Sequence, residues 1–430
     1  MTSSGNPYEF FIRSPGSGAS GSSRKSLSLG LQSSSGETLK SIGTGSAKAL
    51  LPGVFNAYFM HQVSMKVASV DDAPSFLQWL GMTRHYECTD PRDRVYGLLG
   101  LPTSDADPDN GHLFLDPDYD LSVDQVYRMA ARTIIEKSNN LNLLSAVQHG
   151  YELNVLGLSW IPDWNRAHVM ILAPTDPRPT FEASGHNPRQ PAINVDGDAL
   201  IVNGIEFDVV ASSTTIFSSG DFALLRGNSE TDPVLPRELG ESSLESEQRE
   251  PGDPQIMEHY QAEPGIDRLS DPVTRKFEET KDIWPEHLTE EGITALAWTM
   301  TAGKDWYGSL VHDSDSHLAD FRAFQHALGS ASTTAGSADP VRAERFLEAA
   351  SNACSGRRIF RTRKGFLGLG PAALSQGDLV AVLLGGRVPF VLRKFEDYEK
   401  LVGECYVFGI MQGEIFRDAD DCDVRKFELR

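Results

Sequence analysis

The last 75 residues constrain this chain most. Apolar runs of four to six residues alternate with glycine-centred breaks: RRIFRT, GFLGLG, GDLVAVLLGGRVPFVLR and LVGECYVFGIMQGE. Each run is too short for a helix but matches a strand buried on one or both faces. Val380 to Leu384 and Val388 to Leu392 flank Gly385-Gly386-Arg387, which predicts a hairpin. The set predicts a small antiparallel meander or barrel over 355–415.

Upstream, the apolar spacing changes to that of helices. LPGVFNAYFMHQVSMKVAS, from residue 51, carries apolar residues at three- and four-residue steps. Asp71 or Asp72 is placed to cap the next helix, with Phe76, Leu77, Trp79 and Leu80 on its buried side. Asp90-Pro91 reads as a helix start, because proline at the first helical position forfeits no hydrogen bond. Ser122 is placed to cap a long amphipathic helix with Val126, Met129, Ala130, Thr133 and Ile134 along one face. Residues 193–210 switch to period two around Asp196-Gly197, a tight-hairpin signal. Helical spacing returns in GITALAWTMTAG and SHLADFRAFQHAL.

Two stretches oppose a packed core. Residues 1–50 are rich in Ser and Gly and cannot bury enough surface to offset the entropy of ordering, which predicts a disordered tail. Residues 228–282 carry fifteen acids against six bases and read as an inserted loop, solvated helical pieces or a disordered insertion. The expected class is therefore α+β. A helical region with a β-hairpin covers 51–215, an acidic insertion or linker 216–290 and helices 291–353. The β-rich module covers 355–415 and a tail 416–430.

Charge and composition exclude some functions. Acidic residues outnumber basic ones 60 to 39, a formal net charge of -21 that opposes nucleic-acid binding and adhesion to an anionic membrane. No run of eighteen apolar residues occurs, so no membrane span is expected. Cys88, Cys354, Cys405 and Cys422 are widely spaced, with no Cys-x-x-Cys, so neither a disulfide framework nor a zinc ribbon is indicated. The expected compartment is the cytoplasm. Gly16, Gly18 and Gly21 spell G-x-G-x-x-G, but neither a strand before them nor a helix after them supports a nucleotide loop. His312 and His317 are five apart, so they do not share a helical face, and no metal or cofactor is expected.

Two blocks carry a family resemblance. RHYECTDPRDRVYGLLGL (84–101) is followed by Asp118-Tyr119, Val126-Tyr127 and Trp160-Ile161-Pro162-Asp163-Trp164. The second block runs from Arg358-Ile359-Phe360 through Gly365-Phe366-Leu367-Gly368-Leu369-Gly370-Pro371 and Leu384–Arg393 to Leu401–Val407. Together they resemble the carboxy-terminal region of fungal heterokaryon-incompatibility (HET) proteins. In that family a HET domain related to TIR domains lies upstream and triggers cell death after non-self contact. Its aromatic-Trp-Gly step and Trp-Ile-Asp…Cys-Ile-Asn-Gln segment have no counterpart in this sequence, and residues 1–70 are too short and too Ser/Gly-rich to contain that domain. The resemblance therefore implies a part in fungal non-self recognition without the effector domain. The protein would act as a regulatory or interaction scaffold, with a full-length HET-family relative as partner and no catalytic residues.

Two other readings stand beside it. One is an NAD-consuming or hydrolytic enzyme seated near Arg361 and the glycine-rich loop. The other is a non-functional fragment of a longer gene. The candidate site within the β-rich module is an anion site: Arg358, Arg361, Arg363 and Lys364, with the loop at Gly368 and Gly370 donating backbone N–H groups. The competing reading is a solvated basic strand. Alternation puts Arg357, Ile359, Arg361 and Arg363 on one strand face and Arg358 and Phe360 on the other. Asp90, Arg92, Asp93 and Arg94 read as a capped, locally paired turn. Cys405 reads as a small buried hydrophobe and Glu404 as a rim residue facing away from it.

Overall fold

The computed structural model describes residues 73–84, 86–153, 157–166, 171–173, 180–185, 192–218, 221–222, 272–284, 289–329, 339–418 and 423–430. The Ser/Gly-rich tail expected over 1–50, the apolar stretch from residue 51, Asp71 and Asp72 all lie outside these residues, as does most of the acidic segment.

The chain is α+β, with helices packed on a nine-stranded sheet. Helix α1 (Phe76–Met82) starts at Ser75, whose hydroxyl accepts from Gln78 N while the Gln78 side chain accepts from Ser75 N. That reciprocal box satisfies two of the N–H groups that a helix start leaves open. Its buried face is Phe76, Leu77, Trp79 and Leu80, as the spacing predicts. Helix α2 (Asp93–Tyr96) is one turn long. Helix α3 (Val123–Ser138) begins at the predicted cap, Ser122, with the same kind of box to Gln125. It ends at Asn139 in the left-handed region (φ 48°), which asparagine tolerates better than most residues.

Strand β1 (Asn194–Asp196) turns through Gly197, at φ +57°, into β2 (Ala199–Ser213). At fifteen residues, β2 is the longest strand and the organiser of the sheet. The four remaining long helices are α4 (Pro272–Ile283), α5 (Glu290–Thr301), α6 (Ser314–Gly329) and α7 (Pro340–Cys354). The chain then builds β3 (Arg357–Thr362), β4 (Leu367–Pro371), β5 (Leu379–Leu383), β6 (Phe390–Lys394), β7 (Glu399–Glu404), β8 (Tyr406–Val407) and β9 (Val424–Leu429).

Pairing closes a ring. Leu200–Ile205 of β2 pair with β9, while Gly204–Val209 pair with β5. From β5 the ladder continues through β6 to β7, and β7 meets β9 in parallel at Glu399 and Leu429. The far end of β2 bends at a bulge between Val210 and Ser212 and pairs with β3, which leads to β4 and β8. Closure removes the exposed strand edges that invite aggregation.

The strands are buried on both faces, and the two faces feed different cores. Ile359, Leu379, Ala381, Leu383, Leu392 and Leu401 join the helices in the larger cluster. Phe360, Val380, Val382, Val391 and Val402 alternate with them and form a second cluster enclosed by strands and their loops. A continuous apolar run such as LVAVL is what two-sided burial requires.

Three differences from the sequence reading share one cause. The hairpin at 193–210, grouped with the helical region, is the central strand of the β-module. Residues 416–430, read as a tail, contain β9, with Phe427 and Leu429 fully buried. Residues 272–283, for which solvated helical pieces are one reading, form α4, which is not solvated on all sides but buries Val273, Phe277 and Thr280 against β2 and β3. In each case a short apolar pattern gains its partner only from a distant part of the chain. The helical half is stitched to the ring in the same way. The His149 ring meets Leu401 O at 2.9 Å, Ser159 Oγ accepts from Leu401 N at 2.8 Å, and Lys400 Nζ donates to Gly157 O at 2.8 Å.

Candidate functional site

The residues expected to form an anion site sit around the β3–β4 hairpin in differing surroundings. Arg358 Nε donates to Ala372 O at 2.9 Å and its Nη1 reaches Thr214 O at 3.5 Å. Arg361 is half-buried and Arg363 exposed. Lys364 donates from Nζ to Phe207 O at 2.6 Å and from its backbone N to Asp208 Oδ2 at 2.7 Å. Gly368 and Gly370 are buried against the Phe360 ring. A Cβ on Gly368 would sit 2.4 Å from Phe360 Cζ, and one on Gly370 would sit 2.5 Å from Leu374 Cδ1. These glycines make room for an aromatic ring inside the strand-enclosed core. Arg358 and Lys364 are bonded to carbonyls around the hairpin.

The Asp90–Arg94 cluster is likewise structural, though its geometry differs from a helix capped at Asp90. The short helix starts at Asp93 with Arg92 as its cap residue. Asp90 accepts from Arg92 N at 2.9 Å and from Arg92 Nε at 3.0 Å, and the guanidinium holds its carboxyl below the usual carboxylate range. Arg92 Nη1 donates to Leu121 O at 3.0 Å and to Tyr119 O. The Tyr119 hydroxyl bonds to Asp93 Oδ1 at 2.6 Å, and Tyr127 donates to Pro91 O at 2.9 Å. The turn is thereby clamped to the 118–121 loop and to α3.

The densest charge lies elsewhere, where four parts of the fold meet. Arg357, the first residue of β3, and Glu404, the last of β7, are each 3 % exposed and paired at 3.1 Å. Glu404 also accepts from the backbone N–H groups of Leu172 and Ala173 and from Ser145. Lys304, two residues past α5's C-cap, is buried and donates to Leu172 O. Arg357 Nη1 donates to Ala353 O at 2.9 Å at the end of α7. Burial pushes the Glu404 carboxyl up, while Arg357, the Leu172 N–H, Lys304 and Ser145 oppose it. Burial lowers the Lys304 ammonium to about 8, with Glu404 acting in the other direction.

Beside this knot lies a cleft of about 20 Å³ lined by Leu77, Arg84, Asn142, Ser145, Trp164 and Ala173, among others. Arg84 follows α1 and donates from Nη2 to Ala146 O at 3.0 Å. Burial lowers its guanidinium to about 9, against the pull of Glu404 and then Asp163.

Of these groups the sequence signalled two. Alternation with Ile359 places Arg357 inward, and an acid between Gly403 and Cys405 in an otherwise apolar strand demands a partner when both faces are buried. Glu404 is therefore a core residue, where the sequence reading put it on the rim. Burial raises the Cys405 thiol well above its ordinary value and takes that of Cys354 up to about 12, which leaves both unreactive. Among the described residues there is no group of three or more His, Cys, Asp or Glu placed to hold a metal, and no helix is long and apolar enough to cross a membrane.

Residues 318–426 match the Het-6 beta-barrel domain, which spans α6 to β9. The chain is also 26% identical over 374 residues to "Heterokaryon incompatibility protein 6, OR allele" of Neurospora crassa, across 79% of this chain and 51% of the relative. The chain spans about half the length of the curated relative it matches. No solved structure matches it. The matched barrel segment holds β3 to β8 and part of β9. Strand β2, which completes the ring, precedes that segment by more than a hundred residues.

Proposed function

We propose that this protein acts in fungal vegetative incompatibility as a regulatory or interaction scaffold that engages a full-length HET-family relative. The similarity to heterokaryon incompatibility protein 6 over 374 residues carries the reading. The disposition of the charged groups supports it. Arg357, Glu404 and Lys304 are turned inward and bound to one another and to backbone, an arrangement suited to holding a body rigid. Outside, Tyr119 is 53% exposed yet pinned by Asp93 and by the Arg92 guanidinium 5.2 Å from its ring centre. A rigid exposed tyrosine suits a contact surface, because little conformational entropy is lost when a partner covers it.

Two measurements test the reading. Expressing the chain in one of two otherwise compatible fungal strains should change the outcome of their fusion. Tagged protein should recover a HET-family relative from fungal extract, and Tyr119→Ala should weaken that recovery. Unchanged fusion together with no HET-family protein recovered would overturn the scaffold. Loss of NAD in the presence of purified protein would replace it with the enzymatic alternative.

A further inference from the structure

The interior charges around Glu404 do not balance. Three cationic side chains, Arg84, Lys304 and Arg357, converge on one buried carboxylate. Glu404 is already engaged by Arg357, by two backbone N–H groups and by Ser145. The second acid that acts on Arg84, Asp163, is half-exposed and pairs with Arg166 at 3.1 Å. Among the described residues, Arg84 Nη2 donates to one carbonyl and the buried Nε has no hydrogen-bond partner. A buried guanidinium N–H without a partner is costly, and a buried cation without a counter-charge costs more.

The cleft at Arg84 can relieve both. Asn142 and Ser145 add polar side chains to its wall, Leu77, Trp164 and Ala173 add apolar ones, and the volume is about 20 Å³. That is more than the space one water needs and suits a small anion. Ser145 lines the cleft with Arg84 and also bonds to the Glu404 carboxylate. We propose that this cleft is a binding site for a monovalent anion of halide or formate size, held by Arg84 and neutralising the excess interior charge. The inference is independent of the scaffold reading, because it concerns the folded chain alone.

The test uses the purified full chain in sodium gluconate, with chloride or formate replacing gluconate at constant ionic strength. Either small anion at roughly tenfold above its Kd should raise Tm by about 2–4 °C in a saturable manner. Arg84→Gln should abolish the rise, and Lys394→Ala at the surface should leave it intact. Crystals soaked in bromide should show an anomalous peak in the cleft. A chloride effect without a formate effect assigns the site to halides, and equal effects assign it to the carboxylate group as well. Equal Tm in all three salts, a rise that survives Arg84→Gln, or bromide peaks only at the surface would overturn the proposal. Should Arg84→Gln fail to fold, the bromide peak in the unsubstituted protein decides.

Discussion

Substituting the Arg357–Glu404 pair measures how far the buried charges hold the two halves of the fold together. Both residues are 3 % exposed, so neither can turn to water when its partner is removed. Glu404→Gln keeps the shape of the side chain and one acceptor oxygen. It leaves the charges of Arg357 and Lys304 opposed by no buried acid. Breaking a buried pair from one side costs about 3–5 kcal/mol. Arg357→Met should cost less, toward about 3 kcal/mol on the same basis, because Glu404 keeps Lys304, Ser145 and two backbone N–H groups. The double variant Arg357→Met/Glu404→Gln should cost less than the two singles summed, with a coupling energy of roughly 1–3 kcal/mol. Guanidinium unfolding followed by circular dichroism, with the slope compared across all four proteins, reads these values. Single losses below about 1 kcal/mol that simply add would refute the claim that this pair is desolvated and essential, since that is the range of exposed pairs.

Lys304 gives a pH signature. Its folded pKa, about 8, lies below the ordinary lysine value of 10.5, so between these limits the unfolded chain binds more protons. Stability relative to Lys304→Met should therefore be constant below pH 8 and rise with pH from 8 to 10.5, by up to about 1.4 kcal/mol per unit. A flat difference in paired urea titrations would contradict the burial of that ammonium. Gly368→Ala should lower stability by about 1–3 kcal/mol in thermal unfolding, because its Cβ would meet the Phe360 ring at 2.4 Å and Tyr406 O at 2.7 Å. Deleting Val424–Arg430 removes β9 along with Phe427 and Leu429. Burial of those two side chains alone is worth roughly 3–6 kcal/mol, so limited proteolysis should then cut within β2.

Local signals in the sequence were enough for many elements. The Ser122 cap, the apolar face of α1, the turn at Gly197 and the strands β3 to β7 all follow from patterns within about fifteen residues. Legibility ended where an element's reason lies far away in the chain. The α1 cap is an exception, since Ser75 takes it through a local box to Gln78 that satisfies two N–H groups. Arg357 could be placed inward by alternation, but its pairing with Glu404 joins residues 47 positions apart and Lys304 carried no signal at all. The glycines 368 and 370 were visible as special positions. Their task, clearance for Phe360, was not, because an anion loop and a packing gap demand the same absence of Cβ.

By itself, then, the sequence determined many of the helices and strands, and that the β-module has apolar side chains on both faces. These are properties of short windows, set by backbone sterics and hydrophobic periodicity. Only the tertiary structure decided that β2 and β9 close the ring, that α4 packs on it, and that three cations surround one carboxylate. Those outcomes depend on which distant surfaces exclude water from each other, and no local pattern encodes that choice.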